Sequence, residues 1–146
     1  MAYSGKFSPK NPSKYMGDVT KITYRSLWER RVMRYFDDTD GIIAWGSEEF
    51  AIPYRSPVDD RLHRYFPDFL VKIKDKDGKV KTFVVEVKPE SQTREPVIRK
   101  KVTKRYITEV MTWGVNESKW KAAKEFCTDR GWEFQIWTEK TLGIKY

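Results

Sequence analysis

The chain has 146 residues, 39% of them apolar and 34% charged, with a formal net charge of +8. This length fits one domain, and no apolar run exceeds about five residues, so the sequence predicts no membrane-spanning segment, which needs about 18. Its single cysteine, Cys127, excludes a disulfide framework and a cysteine-rich zinc site, and it favours a reducing, intracellular setting.

The positive charge is concentrated in two blocks. Residues 1–36 hold eight basic and two acidic residues, a net +6, and residues 94–105 hold six and one, a net +5. Residues 37–71 between them hold three and eight, a net −5. A basic block binds polyanions by releasing their counterions, or it is simply a solvated surface. Basic flanks around an acidic centre favour a protein that holds phosphate backbone at its edges.

Taken in chain order, residues 1–21 are predicted to form a basic arm, because Ser-Gly, Ser-Pro and Asn-Pro dipeptides punctuate them and no periodicity appears. Residues 22–146 are predicted to form a single domain. The predicted elements are a helix over 26–37, a mixed segment over 42–54 with a short edge strand at 49–54, hairpin strands over 65–74 and 79–88, helices over 106–115 and 117–130, and a final strand over 132–138.

The predicted hairpin brings two carboxylates together. If its loop is the three residues 76–78, with Gly78 left-handed, the numbers of paired residues sum to 154 and Asp68 faces Glu86. Lys88 shares their face, because residues two apart on a strand point the same way. Like charges opposed at roughly 4.5–5.5 Å are destabilising, so a divalent cation is expected to compensate them. A two-residue loop would instead shift the register by one and separate the pair.

This arrangement is typical of phosphodiester hydrolysis. Mg²⁺ prefers oxygen ligands and needs only one or two protein carboxylates besides water and substrate phosphate. Between Asp68 and Glu86 it would polarise the phosphoryl oxygen and lower the pKa of a bound water. Lys88 would orient or deprotonate that water and stabilise the growing negative charge. For Glu86 and Lys88 alone, the competing interpretation is an exposed strand face with alternating charges.

Pro67-Asp68 followed by Glu86-Val87-Lys88 resembles the signature of the PD-(D/E)XK nuclease superfamily. Over nearly the whole chain the sequence resembles, more specifically, the head completion nucleases of T-even-type tailed bacteriophages. Transposon end-cleaving endonucleases share the order of helix glutamate, Pro-Asp and Glu-x-Lys, but they usually carry an additional C-terminal domain. The stretches that carry the head completion resemblance are 2–7, 11–15, 24–30, 63–66, 120–123 and 125–127.

The resemblance implies an α/β (α+β) fold with a restriction-endonuclease-like core, in which helices flank a central mixed β-sheet. It implies a Mg²⁺-dependent deoxyribonuclease, with Mn²⁺ as a possible substitute, and fits endonucleolytic and exonucleolytic cleavage alike. The implied role is head completion and head–tail joining after DNA packaging. The implied partners are DNA and phage capsid or neck proteins, in the cytoplasm of the infected bacterial host or on the virion.

Glu29 has two competing roles. In the resembling enzymes a glutamate on the first core helix often completes the catalytic and metal site, and Glu29 stands at the corresponding position. Ser26 to Glu29 also matches a capping box, in which Glu29 would accept a hydrogen bond from the Ser26 backbone N–H. One glutamate can serve both roles, because the site would lie at the N-terminus of that helix.

Other polar residues are candidates for secondary roles. His63 is either a phosphate contact or a surface residue, and Gln92 either touches substrate or lies in a loop. No phosphate-binding glycine loop occurs, so no nucleotide cofactor is expected. The acids predicted to lie in solvated turns, or near a second metal, are Glu48, Glu49, Asp59 and Asp60. The residues predicted to contact the DNA backbone are Arg94, Arg99, Lys100, Lys101, Lys104 and Arg105.

Two alternatives to this nuclease stay open. One is a non-cleaving, basic DNA-binding structural protein that plugs the filled head. The other is a junction-resolving or transposon-type endonuclease of the same superfamily. The intact set of Asp68, Glu86 and Lys88 favours a nuclease over a plug, because a plug has no reason to oppose two acids.

Overall fold

The computed structural model describes residues 3–143. The elements, in chain order, are β1 (Gly5–Lys6), β2 (Thr23–Tyr24), α1 (Leu27–Asp38), β3 (Ile42–Ser47), β4 (Ile52–Arg55), β5 (Leu62–Tyr65), β6 (Phe69–Lys74), β7 (Val80–Val87), α2 (Lys104–Arg130), β8 (Glu133–Trp137) and α3 (Glu139–Leu142). The central sheet has the strand order β3-β6-β7-β8, and β1-β2 and β4-β5 form two small sheets. Strands β3, β6 and β7 are antiparallel and β8 is parallel to β7, so the sheet is mixed.

The two faces of the central sheet cover different apolar clusters. One cluster joins Phe69, Val71 and Val85 of the hairpin to the apolar stripe of α1. The other joins β8 to α2 and to the β4-β5 pair, and includes Trp120 and Tyr65. Helices therefore flank the mixed sheet, as predicted. No helix among residues 3–143 is both long enough and apolar enough to cross a membrane.

The hairpin has the predicted three-residue loop. Every β6–β7 pair, from Phe69 opposite Val85 to Lys74 opposite Val80, has numbers that sum to 154. The Gly78 N–H donates to the Asp75 carbonyl at 3.0 Å, and Gly78 has a φ of 80°, which glycine adopts without steric cost. The register that sets Asp68 towards Glu86 therefore follows from the chemistry of this loop.

The prediction of one strand over 65–74 is wrong, because the chain breaks there into β5 and β6. Pro67 lies between them and has no N–H to donate to a strand ladder. The β5 strand turns away to pair with β4, while β6 enters the central sheet. The first half of the segment predicted to be mixed, Ile42–Ser47, is a strand of that sheet, with a shift in its pairing to β6 between Ile42 and Ala44.

The prediction of two C-terminal helices is also wrong: residues 104–130 form one helix that continues through Gly114. A Cβ added at Gly114 would meet the Pro57 Cγ at 3.6 Å, so the small residue fits where the helix passes the β4–β5 loop. The Thr103 side chain accepts from the Tyr106 N–H at the start of the helix, and Gly131 ends it in a left-handed conformation.

Residues 3–21 of the predicted arm lie against the rest of the structure. Tyr15 is 7% exposed and packs edge-on against Trp45. The buried Asp37 carboxylate accepts from the backbone N–H groups of Lys10 at 2.8 Å and Asn11 at 3.0 Å. The Lys14 ammonium donates to carbonyl oxygens at the C-terminal end of α1. Residues 1 and 2 of the arm, and 144–146, lie outside the described residues.

Candidate active site

Asp68 and Glu86 meet where the chain enters β6 and approaches the end of β7. The Asp68 backbone N–H donates to the Glu86 Oε1 at 3.3 Å. In return, the Val87 N–H donates to the Asp68 Oδ2 at 2.8 Å. Glu86 is only 7% exposed. The structure thus brings the two carboxylates together, as the register of the hairpin predicts, and backbone groups hold both side chains in place.

The surroundings of this pair disfavour two negative charges. Burial and the charge of Glu86 raise the pKa of Asp68 well above its usual value, although the bond from the Val87 N–H opposes this. Burial also raises the pKa of Glu86, while the Lys88 ammonium lowers it. The protein itself therefore compensates the pair only in part, and a cation at this place would be bound favourably.

Lys88 follows β7 on the same face as Glu86. Its backbone N–H donates to the Trp137 carbonyl at 3.0 Å, which ties it to β8. The side chain is half-buried and lines the same cleft as both acids. Among residues 3–143 it forms no ion pair within 4.0 Å, so its ammonium is available to a ligand in the cleft.

Glu29 lies in the first turn of α1 and caps it. The Glu29 N–H donates to the Ser26 Oγ at 3.2 Å, as in the predicted capping box. Its carboxylate, however, accepts from the Arg25 N–H at 2.5 Å, one residue before the predicted partner. Glu29 is not among the residues that line the cleft, but its charge raises the pKa of Asp68.

Glu48 is a site residue that the sequence analysis placed in a solvated turn. It is half-buried in the cleft, and its N–H donates to the Asp68 carbonyl at 3.2 Å. Its backbone is left-handed, with a φ of 52°, a conformation that costs a non-glycine residue energy and that is often found at functional sites. Burial raises the pKa of Glu48, whereas Arg25, which pairs with it at 3.2 Å, lowers it.

These residues surround a cleft of about 530 Å³. Its lining combines the acids with four cations, of which only one, Lys88, was predicted. Arg25 comes from the segment before α1, and its guanidinium is neutralised by Glu48. The full lining is Arg25, Glu48, Arg64, Tyr65, Phe66, Asp68, Glu86, Lys88 and Lys119.

The donors present fit a hard divalent cation. Asp68 and Glu86 offer carboxylate oxygens, which Mg²⁺ prefers, and the ion keeps several waters, so one or two carboxylates suffice. Within residues 3–143, no three or more acidic, histidine or cysteine side chains converge into a complete metal cage.

Comparison with known proteins agrees with the resemblance stated from the sequence. The chain is 45% identical, over 152 aligned positions, to the head completion nuclease of Enterobacteria phage T4, and the alignment covers 99% of both chains.

The chain belongs to the head completion nuclease family.

A second comparison matches an endonuclease family model to most of the chain of this head completion nuclease family member. The family model described as TnsA-like endonuclease N terminal matches residues 39–139. This range contains Asp68, Glu86 and Lys88, and it begins after Glu29. The superfamily relationship inferred from Pro-Asp and Glu-x-Lys is therefore confirmed, while the role of Glu29 stays a prediction.

The basic residues predicted to contact DNA lie in the segment between β7 and α2 and in the first turn of α2. All six are exposed, and none lines the cleft that holds Asp68 and Glu86. Arg99, Lys101 and Arg105 line a separate open cavity of about 800 Å³. Arg94 lines a third cavity together with Gln92.

The remaining candidates lie at the surface. The His63 Nε2 is 2.8 Å from the Asp59 Oδ2, and both side chains are exposed, so His63 is occupied by an acid rather than free for phosphate. Asp60 pairs with Arg55. Glu49 accepts from the Tyr15 hydroxyl at 2.5 Å. Of the four acids predicted in turns, only Glu48 faces the cleft.

Proposed function

We propose that this chain is a metal-dependent deoxyribonuclease that hydrolyses DNA phosphodiester bonds during phage head completion. The observation that carries the proposal is the backbone-held pair of half-buried Asp68 and buried Glu86, with Lys88 beside it. Membership of a family whose T4 relative is named a head completion nuclease supports it.

In this proposal Asp68 and Glu86 hold a Mg²⁺ ion, for which Mn²⁺ can substitute. When bound, the ion supplies Lewis-acid polarisation of the phosphoryl oxygen and a lowered pKa of water. The backbone bonds to both carboxylates fix their orientation before substrate arrives, which reduces the reorganisation needed during the reaction. Glu29 is the proposed third acidic residue of the site, acting on Asp68 through its charge.

Lys88 is the proposed partner of the attacking water. Its ammonium, unpaired within the described residues, orients the water and stabilises the negative charge that grows on the phosphate oxygens. Water attacks phosphorus and gives up a proton to the surrounding solvent, the bond from phosphorus to the leaving oxygen breaks, and that oxygen takes up a proton from solvent. A neutral side chain at position 88 would leave the growing charge without this counterion.

We further propose that the basic segment between β7 and α2 holds the DNA backbone away from the reacting phosphate. Phosphate contacts position a duplex without reading its sequence. The proposed physiological role is preparation of the filled head for tail joining, with capsid or neck proteins as partners, in the cytoplasm of the infected host or on the virion.

The test is a cleavage assay with supercoiled, linear and branched DNA, each with and without Mg²⁺. Wild type is expected to cut only with the metal, and Asp68→Asn and Lys88→Ala are expected to lose cleavage at least a hundredfold. The matched controls are Asp40→Asn and Lys81→Ala, exposed residues of the same types, which should cut like wild type. If the wild-type protein binds DNA but never cuts it, the nuclease proposal is wrong and the non-cleaving structural protein is favoured.

A further inference from the structure

Two further cations, Lys119 of α2 and Arg64 of β5, line the cleft that holds Asp68 and Glu86. We propose that these two residues form a phosphate-binding subsite for a backbone phosphate of the DNA strand that enters this cleft. The inference rests on the proposed nuclease function and extends it, because it assigns substrate binding to residues outside the basic segment 94–105.

Lys119 is held in place by two tyrosine rings. Its ammonium lies 5.8 Å from the ring centroid of Tyr54 and 5.6 Å from that of Tyr65, within the range of a cation–π interaction. The side chain is half-buried, and it has no carboxylate within 4.0 Å among residues 3–143. The rings therefore fix a positive charge at the cleft without neutralising it.

The guanidinium of Arg64 is likewise available to bind an anion. Its guanidinium lies 5.7 Å from the ring centroid of Phe66, and it too forms no ion pair with another described residue. Arg25, by contrast, is already paired with Glu48. Of the four cations that line the cleft, Lys119 and Arg64 are thus the two beyond Lys88 that have no ion-pair partner among residues 3–143.

Tyr65 links this ammonium to the acidic pair. It is 3% exposed and lines the cleft, and burial together with the negative charge of the neighbouring Glu86 raises the pKa of its hydroxyl. The ring that supports the Lys119 ammonium therefore also lies next to Asp68 and Glu86.

The ligand class follows from these groups. An ammonium and a guanidinium match the charge and the non-bridging oxygens of a phosphodiester. The subsite would bind a phosphate near the one that is cut and so fix the register of the strand over the acidic pair.

Lys119→Gln tests the proposal directly, and Lys121→Gln is its matched control. Lys121 is on the same helix and exposed, and it does not line the cleft. Binding of a fluorescently labelled DNA duplex is measured by anisotropy in EDTA, so that no cleavage enters the readout. We expect Lys119→Gln to weaken binding about three- to tenfold and to reduce the slope of log affinity against log salt by roughly one. Lys121→Gln should change affinity less than twofold.

Two further variants separate binding from folding. Lys119→Arg keeps the charge over the rings and should restore binding to within about twofold of wild type. Lys119→Met keeps the aliphatic stem and removes only the charge, so it should bind DNA as weakly as Lys119→Gln while melting like wild type. Equal affinities of Lys119→Gln and Lys121→Gln would overturn the subsite.

The outcomes also distinguish this inference from the proposed function. If wild type cuts DNA in Mg²⁺ but Lys119→Gln binds like its control, the subsite fails and the nuclease stands. If wild type never cuts, but Lys119→Gln still weakens DNA binding selectively, the subsite stands and the nuclease fails.

Discussion

Asp68 and Glu86 are held together by backbone hydrogen bonds that cross between their strands: the Asp68 N–H donates to the Glu86 carboxylate, and the Val87 N–H donates to the Asp68 carboxylate. The bonds fix two acids side by side although burial and mutual repulsion oppose their ionisation. Holding two like charges side by side lowers the stability of the fold, as is common where function and stability compete.

Asp68→Asn is therefore expected to stabilise the metal-free protein while it abolishes cleavage. The amide removes one of two opposed charges, worth on the order of 1 kcal/mol, which raises Tm by ~2–4 °C in a chain of this size. Thermal unfolding in EDTA measures the change, with Asp40→Asn as the exposed control.

The difference in Tm between Asp68→Asn and wild type should depend on pH, in a direction that the pKa of Asp68 defines. The pKa of Asp68 is raised by folding, so its contribution to stability is present at low pH and is lost as pH rises through the folded-state value. The advantage of Asp68→Asn in Tm should accordingly grow from about pH 4, near the unfolded-state pKa of an aspartate, towards neutrality. A Tm advantage that is constant or shrinks with pH would contradict the repulsion argued here.

Asp37→Ala is expected to destabilise the fold by about 1–3 kcal/mol, the usual cost of leaving buried donors unsatisfied. Asp37 is 2% exposed and accepts from the Lys10 and Asn11 N–H groups, so its loss would remove two of the hydrogen bonds that hold the N-terminal segment against α1. Chemical denaturation measures the change. Asp38→Ala, at the exposed neighbouring position, should stay within about 0.5 kcal/mol of wild type, and equal effects of the two would refute this anchoring.

Alanine at two glycines should change stability in opposite directions. Gly78→Ala forces a side chain into a left-handed turn and should cost about 1–2 kcal/mol. Gly114→Ala adds a helix-favouring methyl inside α2, at ordinary contact distance from Pro57, and should gain about 0.5–1 kcal/mol. Urea denaturation of both variants gives the signs, and a destabilised Gly114→Ala would mean that Pro57 cannot tolerate the methyl.

Cys127 should be inert in the folded protein. It is 1% exposed, and burial raises the pKa of its thiol to about 11, whereas the thiolate is the reactive form. A colorimetric thiol reagent at about pH 8 should therefore react only after unfolding in guanidinium chloride. Rapid reaction of the native protein would contradict this burial.

The acidic pair was predictable from sequence because its position depends on a short loop. Asp77-Gly78 allows one three-residue turn whose pairing extends, residue by residue, to Asp68 and Glu86. The sequence also allowed a two-residue loop that would separate the pair, and the structure shows the three-residue loop. Asp68 and Glu86 therefore lie next to each other although they are 18 positions apart in the chain.

The other cleft residues depend on long-range packing and could not be predicted in that way. Glu48 enters the cleft because β3 pairs with β6, and the sequence of residues 42–54 did not identify that strand. Lys119 enters because α2 crosses the sheet face next to β4. The prediction of two helices that meet near residue 116 is wrong because tertiary packing outweighs the low helix propensity of Gly114.

The most direct test of the central claim is the position of a divalent ion. A crystal of the wild-type protein soaked in Mn²⁺ should show an anomalous peak between the carboxylates of Asp68 and Glu86, and the same soak of Asp68→Asn should show none there. An anomalous map without a peak at this pair, from a preparation that cuts DNA in the same metal, would contradict the account.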